Sequence, residues 1–276
     1  MKNSHTQIKT CGWLLACIFL YTSTARAQQL TTSIPSIHTA AGRSAISEFS
    51  YSANPSLCLS LDSSFVGAMI VPSRFGMSEL RYGTILAGKR LSQNFSIISG
   101  AGGLGNALYS EFSGMVGGAL QIGENLVVGT TAEYSRISIQ EYVPASILEV
   151  NVGATLTLSQ GLTAGVAVSN ILRGSYAVDS RRIHQKILIG LGVQIVPTLF
   201  IDADASISLN EYSGVTLAAR YDVLPEVHCR LAVSTSPRTA ELSVALCPLP
   251  SIAILATGHY HDVLGISEQV GVVWYW

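Results

Sequence analysis

Strict two-residue alternation of apolar with small or polar side chains runs through the second half of this chain, and it limits the fold more than any other feature. Over residues 147–159 the apolar set is Leu148, Val150, Val152, Ala154, Leu156 and Leu158, interleaved with Glu149, Asn151, Gly153, Thr155, Thr157 and Ser159. The pattern returns with Leu199, Ile201, Ala203, Ala205 and Ile207 against Asp202, Asp204, Ser206 and Ser208. It returns again with Val215, Leu217, Ala219, Tyr221 and Val223 against Thr216, Arg220 and Asp222, and with Val227, Cys229, Leu231 and Val233 against His228 and Arg230. Successive side chains of an extended strand point to opposite faces, so each run is a strand with one greasy and one polar face.

A soluble sandwich also alternates, so strand length and composition decide. These runs span about ten to fourteen residues, against the ~5–6 usual in globular sheets. The chain is 48% hydrophobic and only 12% charged, with a mean hydropathy of +0.40, whereas soluble domains carry about 25% charged residues. Yet no run of the ~18 apolar residues that a membrane helix needs exists beyond residue 30. Hydrophobicity spread this way belongs to a transmembrane antiparallel β-barrel, all-β, with lipid outside and a narrow wet or plugged lumen inside. Turn signals at Gln160-Gly161, Val196-Pro197, Asn210-Glu211, Leu224-Pro225, Ser236-Pro237 and 248–250 separate the runs. Counting from residue 57 predicts about fourteen strands, within a range of twelve to sixteen.

The N-terminus supplies the compartment. Lys2 and Lys9, the apolar stretch Cys11–Tyr21 and the small residues flanking Arg26 read as a cleavable signal peptide over 1–27, which implies export to the bacterial outer membrane. Residues 28–56 are then an N-terminal segment, a candidate lumen plug, and 57–276 the barrel. Removing 1–27 leaves 13 basic against 17 acidic residues, about −4, which argues against nucleic acid as a partner. Outer-membrane lipid is the expected surrounding. Three cysteines remain, Cys58, Cys229 and Cys247, and the alternation puts the last two on opposite faces of the sheet, against a bridge between them.

At the C-terminus Ile266, Val270, Val272, Trp274 and Trp276 share one face. An apolar strand ending on an aromatic residue is similar to the signal by which outer-membrane barrels are recognised for insertion, so Val272, Trp274 and Trp276 are assigned that role. Residues 161–170 (GLTAGVAVSN), ending at Asn170, resemble a strand motif of FadL-like outer-membrane barrels of the PorV/PorQ type, a family of Bacteroidota-like bacteria. Asn54-Pro55-Ser56 stands where that family has Asn-Pro-Ala. Residues 217–221 with 227–234, and 264–267, are similar to later motifs of the family. The resemblance spans about 38–276. It implies an accessory role in type IX protein secretion, binding exported cargo or partner proteins, with a passive channel for hydrophobic small molecules as the alternative.

Chemistry-bearing motifs are sparse. Gly100 to Gly105 matches G-x-G-x-x-G, but no helix pattern follows, and glycines where a barrel wall bends are the better account. His259, His261 and Asp262 form a candidate loop site on the outer face. Alternate histidines could bind a metal, but without a third ligand none is assigned. Asp202, Asp204, Arg220, Asp222, His228, Arg230 and Glu241 fall on the polar faces of four consecutive strands, and acids are expected to pair with arginines across them. No nucleophile, base and orienting group come together, so no catalytic residues, no cofactor and no enzymatic activity are expected.

Overall fold

The computed structural model describes residues 37–106, 108–173, 185–208 and 213–276; the expected signal peptide and residues 28–36 of the N-terminal segment lie outside them. Fourteen strands form one closed antiparallel barrel: β1 (Phe65–Val71), β2 (Tyr82–Ser92), β3 (Phe95–Gly105), β4 (Tyr109–Ile122), β5 (Leu126–Ile139), β6 (Ala145–Ser159), β7 (Leu162–Ser169), β8 (Lys186–Val196), β9 (Leu199–Ser208), β10 (Gly214–Leu224), β11 (Val227–Thr235), β12 (Arg238–Leu249), β13 (Ile252–His261) and β14 (Gly265–Tyr275). Each strand pairs with its sequence neighbours, and β1 closes the ring on β14 in a register that sets Phe65 opposite Tyr275. Closure removes every edge and lets each strand's backbone groups pair with a neighbour, the condition for spanning a membrane with strands.

The alternation read in the sequence becomes the two faces of the wall. Outward aliphatics such as Leu231, Leu242 and Val270 are about half exposed, at 55%, 59% and 49%, while their inward neighbours Arg230, Glu241 and Gln269 are buried. Exposed aromatics mark both rims. Phe95, Tyr221, Trp274 and Trp276 stand at the end where the barrel's first and last strands start and stop, and Phe112, Tyr134 and Tyr260 stand toward the other. Two such girdles around an apolar band are the pattern of outer-membrane barrels. The Trp274 and Trp276 rings lie 5.4 Å apart on the outer face, tilted at 43°, and the Trp276 N–H donates to the Ser64 carbonyl, tying the chain end to the start of β1.

The barrel begins later than expected. Residues 57–60 do not open the first strand but belong to a 3-10 turn, Pro55–Ser60, preceded by another at Glu48–Ser52. Leu57, Leu59 and Leu61 alternate as a strand would, but they alternate because all three fill the lumen together with Phe49, Tyr51 and Cys58. There they meet Met69, Leu86, Ile98, Leu255 and Val273 of the wall. Cys58, Cys229 and Cys247 are all free thiols.

Candidate functional site

The lumen is occupied by residues 37–61, and the charges on β9 to β12 are what hold them. Asp202 Oδ2 accepts from the Thr39 hydroxyl at 2.8 Å and from both the N–H and hydroxyl of Ser44 at 2.7 Å, while its Oδ1 takes the Arg43 N–H at 3.2 Å. Asp204 Oδ1 accepts the Ala40 N–H at 2.6 Å. Arg230 and Glu241 form a buried ion pair and clamp both backbone groups of Ile37. The Ile37 N–H donates to Glu241 at 2.7 Å, and Arg230 donates to the Ile37 carbonyl at 2.6 Å. Arg220 donates to the Ala45 carbonyl at 2.8 Å.

This corrects the expected pairing of Asp202 and Asp204 with arginines. The described hydrogen-bond donors to the two aspartates are all backbone N–H or hydroxyl groups of the lumen segment. Arg220 instead pairs with Asp222 on its own strand at 3.2 Å and stacks over Phe200 at 3.9 Å. His228 Nδ1 lies 2.7 Å from the same Asp222. Asp202, which accepts four N–H and O–H donors, is satisfied without a cation, and backbone donors leave no signature in a sequence.

The opposite wall makes room for the segment with glycines. A Cβ on Gly153 would fall 2.0 Å from Asn54 Oδ1, on Gly129 2.4 Å from the Pro55 carbonyl carbon, and on Gly165 2.2 Å from the Ala40 oxygen. On β8, Gly190 and Gly192 leave the space that the Asp204 and Asp202 carboxylates fill. Asn54 is the keystone of the segment. Its Nδ2 donates to the Ala40 carbonyl at 2.6 Å, and its Oδ1 caps the second 3-10 turn by accepting from the Ser56 N–H and hydroxyl. Pro55 follows at the first position of that turn, where its missing N–H costs nothing. Asn170 closes β7 in the left-handed region, at φ 52°, and its N–H donates to Asn151.

His259 and His261 do not form the expected outer loop site. Alternation on β13 turns both inward. His259 is buried, 3.9 Å from Glu241, and His261 Nδ1 accepts the Val263 and Leu264 N–H groups in the turn that contains Asp262. Two residue sets were not among the expected site residues. His38 borders a cavity of about 30 Å³ beside Arg230 and Glu241, its Nδ1 buried with no hydrogen-bond partner, and burial pushes the imidazole down to about 4. Glu111, Glu133 and Glu149 face the lumen on β4, β5 and β6, the last two directly opposite each other, with the Tyr109 hydroxyl on Glu111. Their inward parity was legible. Among the described residues no cluster of histidine, cysteine or carboxylate groups is arranged to hold a metal ion.

A fourteen-stranded barrel whose own N-terminal segment stops the lumen defines the class: the fold is that of FadL-like outer-membrane β-barrels. The structure is similar to the Pseudomonas putida toluene transporter TodX, with a TM-score of 0.60 at 11% identity over 85% of this chain and 95% of that one. A Pseudomonas aeruginosa FadL homologue gives 0.59 at 10% identity, covering 86% and 98%. The Acinetobacter baumannii outer membrane protein Omp33 gives 0.54 at 12% identity, covering 78% and 98%. No protein-family model and no curated protein sequence matches the chain.

Proposed function

We propose that this chain is a non-enzymatic outer-membrane barrel, delivered by the signal peptide at 1–27, that passes apolar small molecules through a lumen stopped at rest by residues 37–61. The observation that carries this reading is the two-part seal. Polar hydrogen bonds to Asp202, Asp204, Arg230 and Glu241 hold one side of the segment, and an apolar contact of Phe49, Leu57 and Leu59 with Leu86, Ile98 and Leu255 closes the base. An apolar solute can replace the second contact without leaving a buried polar group unpaired, whereas a polar solute cannot. Likeness in fold to a toluene transporter supports the same class of solute.

The other reading, a PorV/PorQ-type accessory of type IX secretion that holds cargo or partner proteins, needs an outer platform. On that end the described turns at 140–144, 236–237 and 262–264 are short, and the ten-residue connection 72–81 is the described surface available to one. Uptake of labelled oleate and toluene by cells with and without the protein tests the choice. Faster uptake with the protein, and unchanged protein secretion without it, supports transport. Unchanged uptake with loss of secreted cargo supports the accessory role.

A further inference from the structure

The connection 72–81, between β1 and β2, does not stay outside the barrel. It turns back into the mouth as a hairpin closed by two hydrogen bonds between Arg74 and Met77, at 3.2 and 3.0 Å, with Phe75 and Gly76 at its tip. The Phe75 N–H donates to the Ser267 hydroxyl on β14 at 2.9 Å, and the Phe75 ring meets the His261 ring on β13 edge-on, 6.1 Å between centroids. This places Arg74, a loop arginine, inside the wall at 6% exposure, where Glu111 and Tyr82 are the groups that act on its charge.

Arg74 meets more acid there than it can balance. Glu111 is 3% exposed; the Tyr109 hydroxyl takes one of its carboxylate oxygens, while Oε2 is buried with no hydrogen-bond partner among the described residues. Glu133 and Glu149 stand directly opposite each other on β5 and β6, and Tyr82 links the two parts, within electrostatic reach of Arg74, Glu111 and Glu133. Like charges in register are unfavourable, and a buried carboxylate needs a cation or several donors. Among the described charges that act on these three acids, Arg74 is the cation. No described carboxylates are arranged to hold a metal ion, so the missing charge is of another kind. We propose that Glu111, Glu133 and Glu149 form a binding site for an organic cation, an ammonium or guanidinium group on an apolar body, and that Arg74 occupies it as a tethered stand-in. The hairpin gives up that place at little cost, because the Arg74 guanidinium already lies over the Phe75 ring, 5.4 Å from its centroid, and keeps this cation–π partner when the tip lifts. The inference rests on the transport reading above and deepens it by naming a head group for the apolar molecules admitted.

The test is calorimetric titration of the full mature chain in dodecylmaltoside at pH 7.5 with benzylammonium chloride and with sodium benzoate, which share a ring and differ in charge. The proteins compared are wild type, Glu133→Gln/Glu149→Gln and Arg74→Gln. A tethered competitor lowers apparent affinity by the fraction of time it leaves the site free, so Arg74→Gln should bind benzylammonium at least tenfold more tightly than wild type. The double glutamine variant should bind it at least tenfold more weakly, and benzoate should bind to none of the three. Benzoate bound as tightly as benzylammonium, equal benzylammonium affinity in all three, weaker binding by Arg74→Gln, or binding by no protein would each overturn the proposal. Heat-dependent gel mobility of each variant reports that the barrel is intact. Because binding is measured without transport, a wild type that binds benzylammonium yet takes up no toluene in cells would sink the transport reading and leave the site standing.

Discussion

Arg220 and Arg230 sit directly opposite each other across β10 and β11, like charges in a register that is unfavourable unless each is neutralised. Each has its own carboxylate, but the environments differ. The Arg230–Glu241 side chains are 6% and 2% exposed, and those of Arg220 and Asp222 are 22% and 19%. Breaking a buried pair strands the remaining charge at about 3–5 kcal/mol, while a partly solvated pair contributes about 1 kcal/mol or less. Arg230→Gln should therefore lower the unfolding midpoint on heated gels substantially and Arg220→Gln little; equal losses would contradict this ranking. His38 supplies a pH dependence. Its folded value near 4 lies below the unfolded 6.5, so its docking is fully favourable above about pH 6.5 and weakens as pH falls toward 4, where the undocked ring takes up the proton first. Glu48 has the opposite sign: burial raises its carboxyl, so its contribution is present in acid and fades as pH rises through the raised value. Protease access to residues 37–61 should increase from pH 7.5 to 4.5 in wild type, and His38→Gln should flatten that rise. An unchanged rise in the variant would remove His38 from the account. The positions of all these residues except His38 and Glu48 were legible as polar-face charges. Their partners were not, because Asp202 and Asp204 bind backbone groups that any sequence would present.

At the scale of elements, the strands were legible because a lipid-facing wall admits few exceptions to alternation. Breaks in the pattern at turns such as 160–161 and 197–198 fall where the strands end. The start of β1 was not legible, since Leu57 and Leu59 inside a 3-10 turn, and Leu61 just after it, keep a strand's period while filling the lumen. The signal that could have found the plug's seat is the row of inward glycines on β5 to β8: Gly129, Gly153, Gly165, Gly190 and Gly192. Each holds open a space that another side chain or backbone uses. Gly153→Leu should expel Asn54 and expose residues 37–61 to protease while leaving the barrel folded, whereas Gly258→Ala, with nothing within 4 Å of its added Cβ, should be silent. A Gly153→Leu barrel with a protected segment would show that the contact does not hold the plug.

For the whole molecule, the barrel wall and the segment inside it fold as one sealed body. Fifteen buried residues join Phe49 to Leu61 with the wall in a single apolar cluster, and the charged anchors lie on the β9–β12 side of it. Membership of the barrel class was written in the sequence by composition, alternation and the terminal aromatics. The sealed state was not, because it depends on which lumen groups meet in space. The central claim is that the lumen is closed by residues 37–61 through Asp202 and Asp204. Planar-bilayer conductance of the mature protein measures it directly. Wild type should show no steady ion current, and Asp202→Ala/Asp204→Ala, with five described hydrogen bonds removed, should open a stable pore. A wild-type barrel that already conducts, or a folded double variant that stays sealed, would contradict it.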